Sequence, residues 1–228
     1  MFYFDWTMLL VIPGLLLGLW AQFRVKSTFS EYSRVLSRRG VTADQVSREL
    51  LNQSGNFNVQ ISSVAGDLTD HYDPSTNVLR LSQSVNGNAS IAAIGVAAHE
   101  CGHAMQQHDG YAPLKLRSAI VPVVNLGSHL YFPIFLAGLI FSWEPLITVG
   151  ILCFALTLVF SLVTLPVEFD ASRRAVTLLR QGGFLGEDEI NGAQKVLNAA
   201  AMTYVAAAVS SALQLLRLVL LARSRRDN

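Results

Sequence analysis

The residues best suited to chemistry are the run His99-Glu100-Cys101-Gly102-His103. They end an apolar stretch with helical character. In a helix, residues four apart lie one above the other, so His99 and His103 offer two imidazole nitrogens to a single tetrahedral zinc ion. Glu100 flanks that face. It is badly placed to ligate the same ion, but well placed to hold and deprotonate a water, which is the general-base role in a metallopeptidase. Cys101 sits about 200° around the helix from His99 and is not read as a ligand.

A catalytic zinc generally has three protein ligands and an open position, so two histidines leave the set incomplete. The HExxHxxGxxH solution needs Gly at 106 and His at 109, and this chain has Gln106 and Asp109 there. Asp109 stays a candidate because a carboxylate can replace the histidine. His108, nine residues after His99, points to the far side if the helix continues. The better candidate is Glu168, in Leu165-Pro166-Val167-Glu168-Phe169-Asp170-Ala171-Ser172, although the same carboxylate could simply pair with Arg173 or Arg174.

The elements that must position these groups belong to a membrane protein. Of 228 residues 51% are hydrophobic and 14% charged, against about 25% charged in a soluble domain. Four stretches lack Asp, Glu, Lys and Arg: 6–23, 118–143, 145–167 and 198–216. A span needs about 20 apolar residues, so the second and third qualify strongly and the first adequately. The fourth carries Thr203, Ser210, Ser211 and Gln214, and reads either as a packed span or as a half-buried helix. No basic residue precedes the first stretch, Asp5 does, and no cleavage site follows, so it reads as an anchor.

Basic residues follow the first span (Arg24, Lys26, Arg34, Arg38, Arg39), precede the second (Lys115, Arg117) and follow the third (Arg173, Arg174, Arg180, Lys195). The positive-inside rule puts all of them in the cytosol and puts the Ser142-Trp143-Glu144 turn outside. Arg223, Arg225 and Arg226 run against this if the fourth stretch crosses. Two spans separate His103 from Glu168, so both ends return to one side. The net charge of +1 gives no reason to expect nucleic acid. Cys101 and Cys153, separated by membrane depth, read as buried thiols rather than a disulfide.

Between the spans the pattern predicts a small α+β domain. Val25, Phe29, Tyr32 and Leu36 recur at helical spacing over 24–39, and Gly40 ends that helix. Thr42-Ala43-Asp44-Gln45 resembles a capping box for a helix reaching about Leu51. Residues 58–62 and 77–82 alternate like half-buried strands, with Asp70 and Asp73 organising a turn between them, and Ser90 is the expected N-cap of the motif helix. An exposed strand before that helix would pair with an extended peptide substrate. Tyr204 and His71 are candidate oxyanion donors, and His129, inside the second span, is either functional or bonded between helices.

Three motifs in one order resemble a known family: His99-Glu100-Cys101-Gly102-His103, Asp70-His71-Tyr72-Asp73-Pro74 with Leu79-Arg80-Leu81-Ser82, and Leu165-Pro166-Val167-Glu168-Phe169-Asp170-Ala171-Ser172-Arg173-Arg174. They look like the neutral zinc metallopeptidases of the YugP type, themselves similar to HtpX-type integral membrane gluzincins. The resemblance covers nearly the whole chain. It implies His99, His103 and Glu168 as ligands of one zinc per chain, with Glu100 as base. It also implies a zincin-like catalytic domain in the bacterial plasma membrane, and the anchoring leads us to expect substrates that are membrane or membrane-proximal proteins. HtpX-type patterns commonly carry an aspartate four residues after the ligand glutamate, where this chain has Ser172; Asp170 is two residues on, so either could orient a ligand histidine.

The expectation is an α-helical membrane protein of three to four transmembrane helices. Residues 1–23 form the anchor, 24–117 the first catalytic part, 118–167 a transmembrane hairpin, 168–197 the second catalytic part, and 198–228 a membrane-associated helix with a basic tail. The expected partners are a protein or peptide substrate and the lipid bilayer. The alternatives are a membrane hydrolase of a non-peptide bond, and a non-catalytic interaction protein with a structural metal. Glu100 argues against the second, since a structural site has no use for a base.

Overall fold

The computed structural model describes residues 6–226; residues 1–5 of the expected anchor, with Asp5, and 227–228 of the expected tail lie outside them. A 3₁₀ turn, Trp6–Leu10, leads into α1 (Val11–Tyr32). Next come α2 (Ala43–Gln53), β1 (Gln60–Val64), β2 (His71–Asp73), β3 (Val78–Ser82) and α3 (Ile91–His108). Three long helices complete the chain: α4 (Ala112–Ile140), α5 (Glu144–Gln181) and α6 (Glu187–Arg226).

The stretch Trp6–Tyr32, α4, α5 and most of α6 are each long and apolar enough to cross a membrane. The stretch 198–216, left open by the sequence, therefore belongs to a helix of sufficient length. Both α5 (38 residues) and α6 (40 residues) exceed what a bilayer needs, since at 1.5 Å per residue they reach about 57 and 60 Å against a core of about 30 Å. The apolar part of α5, residues 145–167, uses up about 35 Å of its length. Glu168 is the next residue.

The chain divides into two compact units. One comprises residues up to Ala21, Leu116–Leu165 and the chain from Thr203 onward, with Phe135, Ile147, Phe154 and Leu218 at its centre. The other comprises Gln22–Lys115 and Pro166–Met202. In this second unit Leu50, Leu51, Leu79, Leu81, Ile94, Leu179 and Ile190 are fully or almost fully buried, so α2, the sheet, α3 and the inner parts of α5 and α6 share one core.

Local chemistry accounts for most of the element boundaries. The Thr42 N–H donates to Gln45 Oε1 at 3.2 Å, completing the capping box of α2, and Ser90 Oγ accepts from Ala93 N to start α3. The first helix ends earlier than its periodicity predicts. After two long turn bonds, from Arg34 N to Glu31 O and Val35 N to Tyr32 O at 3.4 Å, Ser37 N donates to Ala89 O and Ile91 N to Val35 O, both at 2.9 Å, so the chain leaves the helix and pairs with the segment entering α3. Residues Arg38 and Arg39 then fasten to the start of α6: Arg38 N donates to Glu189 Oε1 at 2.8 Å and Arg39 Nη1 to Gly183 O at 2.6 Å.

The sheet order is β1-β3-β2, with β1 parallel and β2 antiparallel to β3. The strand leading toward α3, β3, is therefore central and has no open edge. The edge next to α3 is β2, a three-residue strand within a segment read from sequence as a turn. Asp73 does organise the following turn, accepting from Ser75 N at 2.9 Å, Thr76 Oγ1 at 2.7 Å and Arg80 Nη1 at 2.8 Å. Asp70 instead clasps the end of β3, through Ser82 N at 2.7 Å and Ser82 Oγ at 2.8 Å.

Candidate metal centre

All the groups of the centre lie within the second unit, on α3, the inner half of α5 and β2. His99 and His103 stand one turn apart on α3, and α5 brings Glu168 against both. His99 Nε2 is 3.2 Å and His103 Nε2 3.5 Å from Glu168 Oε2, and all three candidate donor atoms fall within 4.8 Å of one another. A tetrahedral zinc with donors at about 2.0–2.1 Å needs them about 3.4 Å apart, so two of the three separations already match. Two imidazoles and a carboxylate are also the donor chemistry of catalytic zinc, leaving one open position. The side chains of His99, His103 and Glu168 are 14%, 12% and 2% exposed, so the donors are almost wholly withdrawn from water.

The helices approach as closely as backbones allow. A Cβ at Gly102 would lie 2.5 Å from Ala171 O and 3.1 Å from Ala171 Cα, so only glycine fits between the two histidine turns. That contact explains a glycine inside the motif, where it otherwise costs helix stability.

Each histidine is held from behind. His99 Nδ1 lies 3.0 Å from Ser172 Oγ, and His103 Nδ1 lies 3.0 Å from Gln106 Oε1. Gln106, completely buried, donates from Nε2 to Val167 O at 2.7 Å and to Asp170 Oδ2 at 3.0 Å. Asp170 also pairs with Arg173 and Arg174, and Arg174 reaches Asp109. The two second-contact candidates read from sequence thus serve different rings: Ser172 meets His99, and Asp170 reaches His103 through Gln106.

Glu100 is buried beside the cluster and accepts a hydrogen bond from Tyr72 N of β2 at 3.0 Å. Burial raises its pKa, against the pull of His103 and His99. Burial likewise opposes ionisation of Glu168, but hydrogen bonds from His103 and His99 outweigh it and hold that carboxyl below its ordinary range. For His103, contacts with Glu168 and the nearby Glu100 overcome burial and raise its pKa.

The remaining sequence candidates lie elsewhere. Asp109 caps α3 and pairs with Arg174 instead of joining the cluster. The exposed His108 lies near Gly55. On β2, His71 is exposed, with Nδ1 2.8 Å from Thr69 O. His129 donates from Nδ1 to Asn125 O within α4, and Tyr204 belongs to the other unit. Cys101 and Cys153 are both free thiols, and burial pushes Cys101 up to about 12. Sequence reasoning missed Gln106 and the Tyr72 amide. For Gln106 a signal existed, since a residue three after His103 faces the same side of the helix. A backbone amide leaves no such trace.

A membrane protein with a buried His-His-Glu cluster and a neighbouring glutamate has the makings of a metallopeptidase. The chain belongs to the family described as "Putative neutral zinc metallopeptidase", whose model matches residues 7–223. It is 46% identical over 218 residues to the "Putative membrane protease YugP" of Bacillus subtilis (strain 168), spanning 96% of this chain and 97% of that protein. No solved structure matches it significantly.

Proposed function

We propose that this protein is an integral membrane zinc metalloendopeptidase of the gluzincin class. His99, His103 and Glu168 would hold one zinc per chain, and Glu100 would be its general base. The observation that carries this reading is the convergence of three largely buried donors, two imidazoles and a carboxylate, from two helices with the Glu100 carboxylate beside them. When bound, zinc supplies Lewis acidity that acidifies water and polarises a peptide carbonyl. Glu100 takes the proton from the attacking water and passes it to the leaving amine. The Tyr72 amide holds the Glu100 carboxylate in place for this transfer. Ser172 and Gln106 hold the imidazoles, and the apolar core behind α3 excludes bulk water.

Because Tyr72 N points to Glu100, this residue turns its backbone away from β3 and toward the site. An extended peptide would add to the sheet along β2, which lays its scissile bond across Glu100. Substrates would be membrane or membrane-proximal proteins. Basic residues near the span ends support a site facing the cytosol in a bacterial plasma membrane.

Metal analysis of the purified protein tests the ligand set. About one zinc per chain is expected in the wild type, with little in His99→Ala, His103→Ala or Glu168→Ala. Full zinc in Glu168→Ala and none in Asp109→Ala would overturn it.

A further inference from the structure

The geometry points to Gln106 as the residue that selects which nitrogen His103 offers to the metal. We propose that it fixes Nδ1 of His103 in the protonated state, so that Nε2 is the coordinating atom, and that it ties this ring to the stretch of α5 carrying Glu168. The inference rests on the zinc site proposed above.

An amide side chain has two different ends, and here its surroundings leave only one orientation. The nitrogen of Gln106 faces Val167 O at 2.7 Å and Asp170 Oδ2 at 3.0 Å, both of which only accept. Turning the amide over would set its oxygen against a carbonyl and a carboxylate inside the protein, leaving three acceptors with no hydrogen among them. With both N–H groups engaged, Oε1 is an acceptor, and its neighbour is His103 Nδ1 at 3.0 Å. Nδ1 must therefore carry a hydrogen. Nε2, which faces Glu168 Oε2, is the nitrogen left to give up its proton to a cation.

The same side chain sets the position of the ring. Val167 and Asp170 flank Glu168 on α5, and Gln106 sits one turn beyond His103 on α3. Full burial of Gln106 means that no water can replace these bonds. A displacement of α5 relative to α3 thus moves the third ligand and the back of His103 together. Gln106 is a positioning residue, since it touches His103 rather than the reacting atoms.

The test measures zinc affinity of the detergent-purified full chain by competition with a chromophoric chelator, and records the visible spectrum of the cobalt-substituted protein. Gln106→Met, of similar volume, should weaken zinc binding about 10- to 100-fold and alter the cobalt ligand-field bands. Gln106→Glu keeps an acceptor for His103 but faces Asp170 with like charge, so its affinity should also fall. Adding Asp170→Asn to Gln106→Glu sets an amide donor against the second carboxylate oxygen and should recover part of the loss, since Val167 O still lacks its donor. Zinc affinity and cobalt bands equal to wild type in a folded Gln106→Met protein would overturn the assignment. So would a lower melting temperature with unchanged affinity, which marks a purely structural residue. If the wild type itself binds no zinc, the proposed metal site falls and this assignment with it; loss confined to the variants supports both.

Discussion

The Gly102→Ala substitution separates the stability of the fold from the geometry of the site. The added methyl carbon would begin 2.5 Å from Ala171 O, and ordinary contact starts at 3.4 Å, so α3 and α5 must part by about 0.9 Å there. If the parting carries over fully, the contact of Ser172 Oγ with His99 Nδ1 lengthens from 3.0 to about 3.9 Å, and that of Gln106 Nε2 with Val167 O from 2.7 to about 3.6 Å. Both exceed a hydrogen bond. Overpacking costs about 1–3 kcal/mol, and replacing a helical glycine by alanine returns about 1 kcal/mol. The net loss of stability is therefore small, on the order of 0–2 kcal/mol. Zinc affinity should fall much further, about 10- to 100-fold, because His99 loses Ser172 and the Gln106 that orients His103 loses its anchor on α5. Gly95→Ala on the same helix is the control, since its Cβ would meet nothing closer than the Ala193 methyl at 3.2 Å, with Ala193 Cα at 3.4 Å. Chelator competition and thermal melting of both variants make the comparison. Wild-type zinc affinity in Gly102→Ala would refute the idea that helix spacing sets the site.

Three further outcomes follow from other parts of the molecule. With its pKa at about 12, Cys101 is thiolate in only about one molecule in ten thousand at pH 8, so a maleimide should leave it unmodified in native Cys153→Ser protein and label it after denaturation; rapid native labelling would contradict its burial. Asp73 has its carboxyl held far below the ordinary range by hydrogen bonds from Ser75, Arg80 and Thr76, so its contribution is complete above about pH 4 and fades as the pH falls further. Asp73→Asn should accordingly lower the melting temperature at pH 7 and converge on wild type in acid; a gap that persists unchanged to pH 2 would exclude the ionic cause. Single cysteines at Ser63 and Ser142, in a chain lacking Cys101 and Cys153, should react with an impermeant thiol reagent on intact cells only at Ser142; reaction only at Ser63 would reverse the orientation, and reaction at both would break the hairpin.

Legibility in the sequence followed the range of the interactions. The motif helix, its Ser90 cap and the Thr42–Gln45 box were readable because their signals lie within a few residues of each other. Glu168 was readable only because an unusual carboxylate stands where a long apolar stretch ends. The end of α1 was not, since residues 33–39 keep a helical pattern and leave the helix for backbone partners more than fifty residues away. Strand β2 was missed for a related reason: at three residues it is too short for a period, and its Pro74 and aspartates read as turn chemistry. Asp170 and Gln106 look unrelated in the chain, 64 positions apart, and form one network only after α3 meets α5.

The most direct test of a zinc peptidase with a glutamate base is to measure zinc content and cleavage of an unfolded protein substrate on the same preparations of wild type and Glu100→Gln. The amide cannot accept a proton, yet Glu100 is not among the proposed ligands. The variant should therefore keep about one zinc per chain while cleavage falls by about 10²- to 10⁴-fold. Undiminished cleavage by zinc-loaded Glu100→Gln would contradict the account.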